Sequence, residues 1–318
     1  MKPTFSEFSY GFALTNELVG WSELAAAPIF PSLIEEGQEG GGYDVKLDRP
    51  GFPLYLQFKR SDLMTRRSAR EYKAVKARGG GLRVPYYRFA VTDEAISRQH
   101  EMLLALDVAP HFVFYAAPRF HKIEEINEAW AANDVASRSQ FIAPQEIGSL
   151  SLGPHAVAFD GGRFWTCSEP REIKGLTSRD LLEKLKSALT QDDRPLRGKL
   201  SEINEHLDSA ERRARARIVE REREAAELAE AARERRRAER QQELTEPNGY
   251  DLISHSLAQD HGEFVVSLDD LEFSPPASLP VPTRLPKTLS PEFQQLRLAA
   301  DTAARTFDAQ LVIIQPTS

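Results

Sequence analysis

The residues best placed to do chemistry gather in Y-D-V-K-L-D-R-P-G-F-P-L-Y-L-Q-F-K-R-S-D, residues 43–62. Asp44 stands near its start, and Gln57 and Lys59 stand near its end, two residues apart. Side chains alternate along a strand, so Tyr55, Gln57 and Lys59 share one face and Leu54, Leu56 and Phe58 the other. Turn residues from Asp48 to Pro53, centred on Pro50 and Gly51, predict a hairpin between strands at 43–48 and 53–60. Across such a hairpin an acid and an amide oxygen can share one Mg²⁺, which takes hard oxygen ligands and few of them from protein. A lysine two residues on can orient the attacking water or stabilise charge on a scissile phosphate. Glu17, on a helix expected over 9–27, supplies a second carboxylate if that helix packs over the strands. Glu35 and Glu36 are further candidates. The same residue types also make up an ordinary solvated hairpin face.

These residues need a scaffold, and the hydrophobic pattern predicts one. The helix over 9–27 starts at Ser9 as N-cap and stops before Pro28. A strand at 29–35, the two hairpin strands, a basic helix over 67–78 and a strand at 86–91 follow. A helix over 93–106, a strand at 111–118 and a helix over 123–132 come next, then a hairpin of 155–160 and 163–167 around Gly161-Gly162. The run H-F-V-F-Y-A-A-P is apolar enough to be a central strand covered on both faces. The order is that of an α/β domain over residues 1–178. Residues 179–247 read as a charged helical region, with a helix at 178–189 and a long one over 199–245. From Asp208 to Glu243 it holds eleven Arg and ten acids, with i,i+4 pairs such as Asp208–Arg212 that support a helix without a core. It lacks a sustained heptad, so a strong coiled coil is not expected. It is read as an exposed spacer, or as the surface for a protein partner or a homo-oligomer. Residues 248–318 form a third part: a Pro-rich linker over 274–291, a helix over 292–307 and a strand at 311–315.

Charge is segregated along the chain. The net charge is −7. Residues 59–88 nevertheless hold ten Lys or Arg against Asp62 and Glu71, a local +8. Residues 246–318 hold ten acids against four basic residues. A local basic stripe can hold a phosphate backbone on an acidic protein. Arg60, Arg66, Arg67, Arg70 and Lys73 are the candidate DNA contacts. A solvated helix face is the plainer account of the same residues.

Helix, strand, hairpin, helix and strand, with D-x12-Q-x-K at Asp44, Gln57 and Lys59 and a helix acid at Glu17, resemble the PD-(D/E)xK nuclease superfamily. The resemblance spans roughly residues 9–118. It implies a restriction-endonuclease-like mixed sheet flanked by helices, with Glu17, Asp44 and Gln57 as ligands of Mg²⁺, Mn²⁺ being an alternative ion, and Lys59 as the catalytic lysine. Tyr43 stands where the motif has proline, and Gln57 where it commonly has an acid. The Q-x-K form is similar to that of restriction and antiphage-defence nucleases, which implies such a setting.

Composition excludes other classes. One cysteine, Cys167, rules out an internal disulfide and a thiolate zinc cluster. His100, His111, His121 and His155 lack ligand spacing and read as structural. No G-x4-G-K-[ST] is present, so ATP hydrolysis is not expected. No stretch reaches the ~18 apolar residues of a membrane span, and A-L-T-N-E-L-V-G-W is broken by Asn16 and Glu17, so a cytoplasmic place is expected. The leading expectation is a metal-dependent DNA endonuclease. The alternatives are a catalytically inactive nuclease-fold interaction protein acting through its helical C-terminal half, and a DNA-binding module without a metal.

Overall fold

The structure, a computed structural model, describes residues 1–21, 24–29, 45–91, 97–109, 111–151, 153–245 and 290–317. Asp44, Glu35, Glu36, the expected strand at 29–35 beyond Ile29 and the Pro-rich stretch over 274–289 lie outside these residues. The chain divides into one compact unit of residues 1–221 and 288–318 and a second of residues 222–287. The first unit therefore runs past the boundary expected at residue 178.

The elements run in order from α1 (Glu7–Val19), β1 (Leu24–Pro28), β2 (Phe52–Phe58) and β3 (Asp62–Met64) to α2 (Arg70–Ala77) and β4 (Tyr86–Val91). Next come α3 (Gln99–Leu106), β5 (Phe112–Pro118), α4 (Ile123–Ala131), β6 (Ser139–Ile142) and α5 (Pro144–Ile147). Then follow β7 (His155–Asp160), β8 (Arg163–Thr166), β9 (Arg171–Ile173), α6 (Ser178–Gln191) and a 3₁₀ turn (Leu196–Lys199). The chain ends with α7 (Leu200–Thr245), α8 (Pro291–Phe307) and β10 (Gln310–Pro316). One five-stranded sheet has the order β1-β10-β2-β5-β6, with β2 and β5 parallel and its other pairs antiparallel. The other, β3-β4-β7-β8-β9, is antiparallel throughout. The fold is α/β, with a mixed and an antiparallel sheet, flanking helices and one long helix.

Two expectations about local structure are corrected. The first helix stops at Val19, where the Gly20 N–H closes onto the Asn16 and Glu17 carbonyls at 3.3 and 3.0 Å. Leu24-Ala-Ala-Ala-Pro28 is then a strand, because it pairs with β10 from Leu24↔Pro316 to Pro28↔Val312. Tertiary pairing overrides the helix propensity of alanine. The second correction is the hairpin. Residues 45–48 form no strand. The edge of β2 they were to pair is occupied by β10, from Gln310↔Leu56 to Ile314↔Phe52. L-V-I-I buries every residue, which V-K-L-D with its charges cannot do. The displaced segment is held by side chain and turn. Gln315 bonds both the N–H and the carbonyl of Lys46, each at 2.9 Å. Leu196 and Arg197 donate to the Arg49 and Leu47 carbonyls at 2.8 and 2.9 Å.

β2 is therefore central and buried on both faces. Leu54 and Leu56 face a cluster with Leu14 of α1, Ile126 of α4 and Leu185 of α6. Tyr55 belongs to a second cluster that joins α3, α7, α8 and the inner side of the antiparallel sheet through Phe89, Val157 and Phe159. Lys199 ties the start of β2 to the turn before α7. It is 4% exposed, and its Nζ donates to the Asp192 carbonyl at 3.1 Å and the Gly51 carbonyl at 3.3 Å. A third cluster seats Val75 of α2 on the outer side of the antiparallel sheet, against Tyr86, Ala158 and Trp165.

The long helix is not core-free at its start. Leu200, Ile203, Leu207, Ala210, Ala214 and Ile218 are all buried at the 3–4 spacing of one helical face. Alanine carries part of this contact. α8 meets the same cluster through Leu296, Ala299, Ala300, Ala303 and Phe307. In the second unit, the described side chains of residues 222–237 are predominantly exposed, and Arg223–Glu227 is an i,i+4 pair at 3.8 Å. No helix among the described residues is long and apolar enough to cross a membrane.

Candidate functional site

The parallel partner of β2 sets the position of Lys59. Gln57 pairs with Tyr115 of β5, and the Lys59 N–H continues the ladder to the Ala116 carbonyl at 2.9 Å. Both side chains leave the end of a strand that is fixed on each side. Gly11 of α1 lets the helix approach this end closely, since a Cβ there would lie 2.6 Å from the Phe58 ring.

Gln57 is 6% exposed. Its amide nitrogen makes one long bond, 3.4 Å to the Phe58 carbonyl. Its Oε1 is buried without a partner among the described residues. Such an orphan acceptor is expensive in a fold and calls for an explanation. Lys59 is also 6% exposed. Its Nζ donates to Gln99 Oε1 at 2.8 Å and lies 5.6 Å from the centre of the Tyr115 ring. Burial lowers its pKa below that of a free lysine, and the carboxylates of Glu7 and Asp308 offset part of that shift. Gln99 Nε2 donates to Asp308 Oδ2 at 2.5 Å. Asp308 closes α8 in the left-handed region, φ 50° and ψ 41°, a conformation a few percent of non-glycine residues adopt and one in which Asp is enriched.

A cleft of about 500 Å³ opens beside these groups. Glu7, Thr15, Asn16, Gln57, Asp308 and Gln310 contribute its polar lining, and Phe8 and Phe12 its exposed aromatic wall. Two carboxylates thus accompany the Gln57–Lys59 pair. Neither is an acid singled out in the sequence. Glu17 is engaged elsewhere: its Oε2 accepts the Val135 and Ala136 N–H groups at 2.7 and 3.1 Å. Burial raises its pKa, and these two bonds oppose the rise. Asp44 is outside the described residues. Asp308 carried no signal in the sequence, and Gln99 carried none.

No protein-family model, curated protein or solved structure matches this chain. The site therefore has to be read from its own chemistry. Among the described residues no group of three or more His, Cys, Asp or Glu is placed to hold a metal. The hard donors at the cleft include the carboxylates of Glu7 and Asp308 and the Gln57 amide oxygen. That is the kind and number of protein ligands that suits Mg²⁺, which keeps several waters or substrate oxygens.

The basic residues follow Lys59 in the chain. Arg60 follows Lys59 directly, and its Nη1 donates to the Phe5 carbonyl at 3.5 Å. Arg60, Arg66, Arg67, Arg70 and Lys73 are all exposed. Among the described residues, none of Arg66, Arg67, Arg70 and Lys73 makes an ion pair. Arg88, by contrast, is spent on Asp62 and Glu71.

Proposed function

We propose that this chain is a metal-dependent nuclease that cuts DNA phosphodiester bonds at the Gln57–Lys59 end of β2, with the mixed sheet as a restriction-endonuclease-like scaffold. The observation that carries the reading is Lys59. A lysine amine is held buried, against the cost of desolvation, beside a glutamine with an unused oxygen. The carboxylates of Glu7 and Asp308 act on its charge, and a run of exposed cations follows it in the chain.

Glu7, Asp308 and Gln57 Oε1 would hold the cation, which when bound would polarise the phosphate and lower the pKa of a water. Lys59 donates a proton-bearing amine toward the attacked phosphate and stabilises its charge. Gln99 fixes that amine through its oxygen, and Asp308 fixes Gln99 through its nitrogen. Arg60, Arg66, Arg67, Arg70 and Lys73 hold the backbone through charge alone.

The test is supercoiled plasmid incubated with wild type, Lys59→Met and Asp308→Asn in Mg²⁺, Mn²⁺ and EDTA. Metal-dependent nicking by wild type that both variants lose by at least about 100-fold is expected. Cleavage at the wild-type rate by Lys59→Met overturns the assignment.

A further inference from the structure

Exposed aromatic side chains on the wall of the cleft have no role in the reading above. Phe8 is 82% exposed and Phe12 58%. They sit four residues apart on one face of α1, and Phe12 also meets Trp130, 47% exposed, edge to face at 6.3 Å. Scattered exposed apolar residues need no explanation, but a contiguous aromatic group beside a cleft does. Phe8, Phe12 and Phe58 line the same cavity as Glu7, Gln57 and Asp308.

The basic segment reaches this wall through the N-terminus. The Leu63 N–H donates to the Met1 carbonyl at 3.0 Å, Lys2 lies 3.7 Å from Asp62, and Arg60 bonds the Phe5 carbonyl. The strand that begins the cationic run is thus stitched to the segment that leads into α1. Arg60, the first arginine of the cationic run, is thereby tied to the segment that leads into the helix carrying Phe8 and Phe12.

From this juxtaposition we infer that the chain binds single-stranded nucleic acid in preference to duplex, with one unstacked base in the cleft. In a duplex, base faces are already stacked and offer nothing to Phe8 and Phe12. An unpaired base offers its face to the rings, and stacking of this kind tolerates any sequence. The cleft is of the size that takes a small ligand. Thr15 and Asn16 line the same cleft and offer hydrogen-bonding groups to a base edge, which leaves Glu7, Asp308 and Gln57 Oε1 to the cation. Arg60, Arg66 and Arg70 track the phosphates. The inference rests on the nuclease reading for its substrate class and sharpens it to the single-stranded form.

The experiment reads binding and not cleavage. Fluorescein-labelled dT15, rU15 and a 15-base-pair duplex are titrated with the full chain in EDTA, by anisotropy, at several salt concentrations. The dT15 and rU15 arms separate DNA from RNA as the source of the unpaired base. Single strand is expected to bind at least about 10-fold tighter than duplex. Phe8→Ala/Phe12→Ala is expected to weaken it about 10-fold or more with an unchanged salt slope, because stacking does not release counterions. Arg66→Ala/Arg70→Ala should instead lower the slope by about 1.4. A 2-aminopurine placed mid-strand should be quenched by wild type, which tests stacking without any substitution. Duplex bound as tightly as single strand, no binding to either, or an unquenched probe overturns the inference. Those results leave the plasmid assay to decide the nuclease reading by itself.

Discussion

The Nζ of Lys59 donates to Oε1 of Gln99 at 2.8 Å although 40 residues separate them in the chain. The amide is oriented from its other end. Its nitrogen faces the Asp308 carboxylate, so its oxygen has to face the amine. Three elements distant in sequence, β2, α3 and the α8–β10 turn, thereby place one charge.

Lys59→Met should leave the fold as stable as wild type at pH 7, or more stable by about 0–2 kcal/mol, while removing activity. Burial lowers the pKa of Lys59, so the fold disfavours its charged form more than the unfolded chain does. That penalty is fully present below the folded-state pKa and fades as pH rises through it toward the unfolded value. Methionine keeps the apolar stem and removes the charge, a change that is often neutral or stabilising in an interior. Thermal unfolding at pH 7 is the check. A fall in Tm of more than about 4 °C would show that the bond to Gln99 outweighs desolvation.

Residues 1–178 alone should not fold. Without β10, sheet partners vanish for β1 along its whole length and for β2 on one side. Without α7 the core loses Leu200, Ile203 and Leu207. Circular dichroism and one-dimensional proton NMR of the fragment should show a largely unfolded chain. A cooperative melt with dispersed methyl signals would overturn the expectation.

That prediction marks where the sequence was legible and where it was not. Strands with their own hydrophobic signature, 111–118 and the 155–167 hairpin, lie where the pattern puts them, and so do the helices at 123–131 and 291–307. β10 was also visible as a strand. Its neighbours were not, because alternation gives a strand its faces but not its partner. The turn chemistry at Pro50-Gly51 pointed to a local hairpin, and a partner more than 250 residues away took the edge instead. The short strands β3 and β9 lack a run long enough to show period 2. At the site, Gln57 and Lys59 were readable as a spacing. Glu7, Gln99 and Asp308 were not, since only the register of β10 and the docking of α1 and α3 bring them there.

Acid should destabilise the protein through its histidines. Burial lowers His100 to about 4 and His111 to about 3. His206, whose ring stacks on that of His111 at 3.4 Å, is also lowered, again mainly by burial. Each is held neutral in the fold, so the unfolded chain binds protons more readily once pH falls below about 6.5. Stability is fully present above that value and declines as pH drops toward 3–4. At pH 5.5 the loss should be about 1 kcal/mol each for His100 and His111. Urea unfolding at pH 7.5 and 5.5 measures it, and His111→Phe should remove part of the difference. An unchanged midpoint between the two pH values would contradict this account.

Arg221 and Glu101 lock the long helix to the domain. The Glu101 carboxylate is 3% exposed, and its Oε1 lies 2.6 Å from Arg221 Nη1. Arg221 also donates to the Leu150 carbonyl. Removing one partner of a buried pair leaves the other charge without compensation, at a cost of about 3–5 kcal/mol, whereas replacing both by apolar residues can be neutral. Arg221→Met should therefore cost about 3 kcal/mol, and Glu101→Met/Arg221→Met should return to within about 1 kcal/mol of wild type. Chemical denaturation of the two single variants and the double closes the cycle. A double variant as unstable as Arg221→Met alone would mean that the helix is held by the Leu150 bond and the aliphatic contacts at Ala214 and Ile218, and that the ion pair adds nothing.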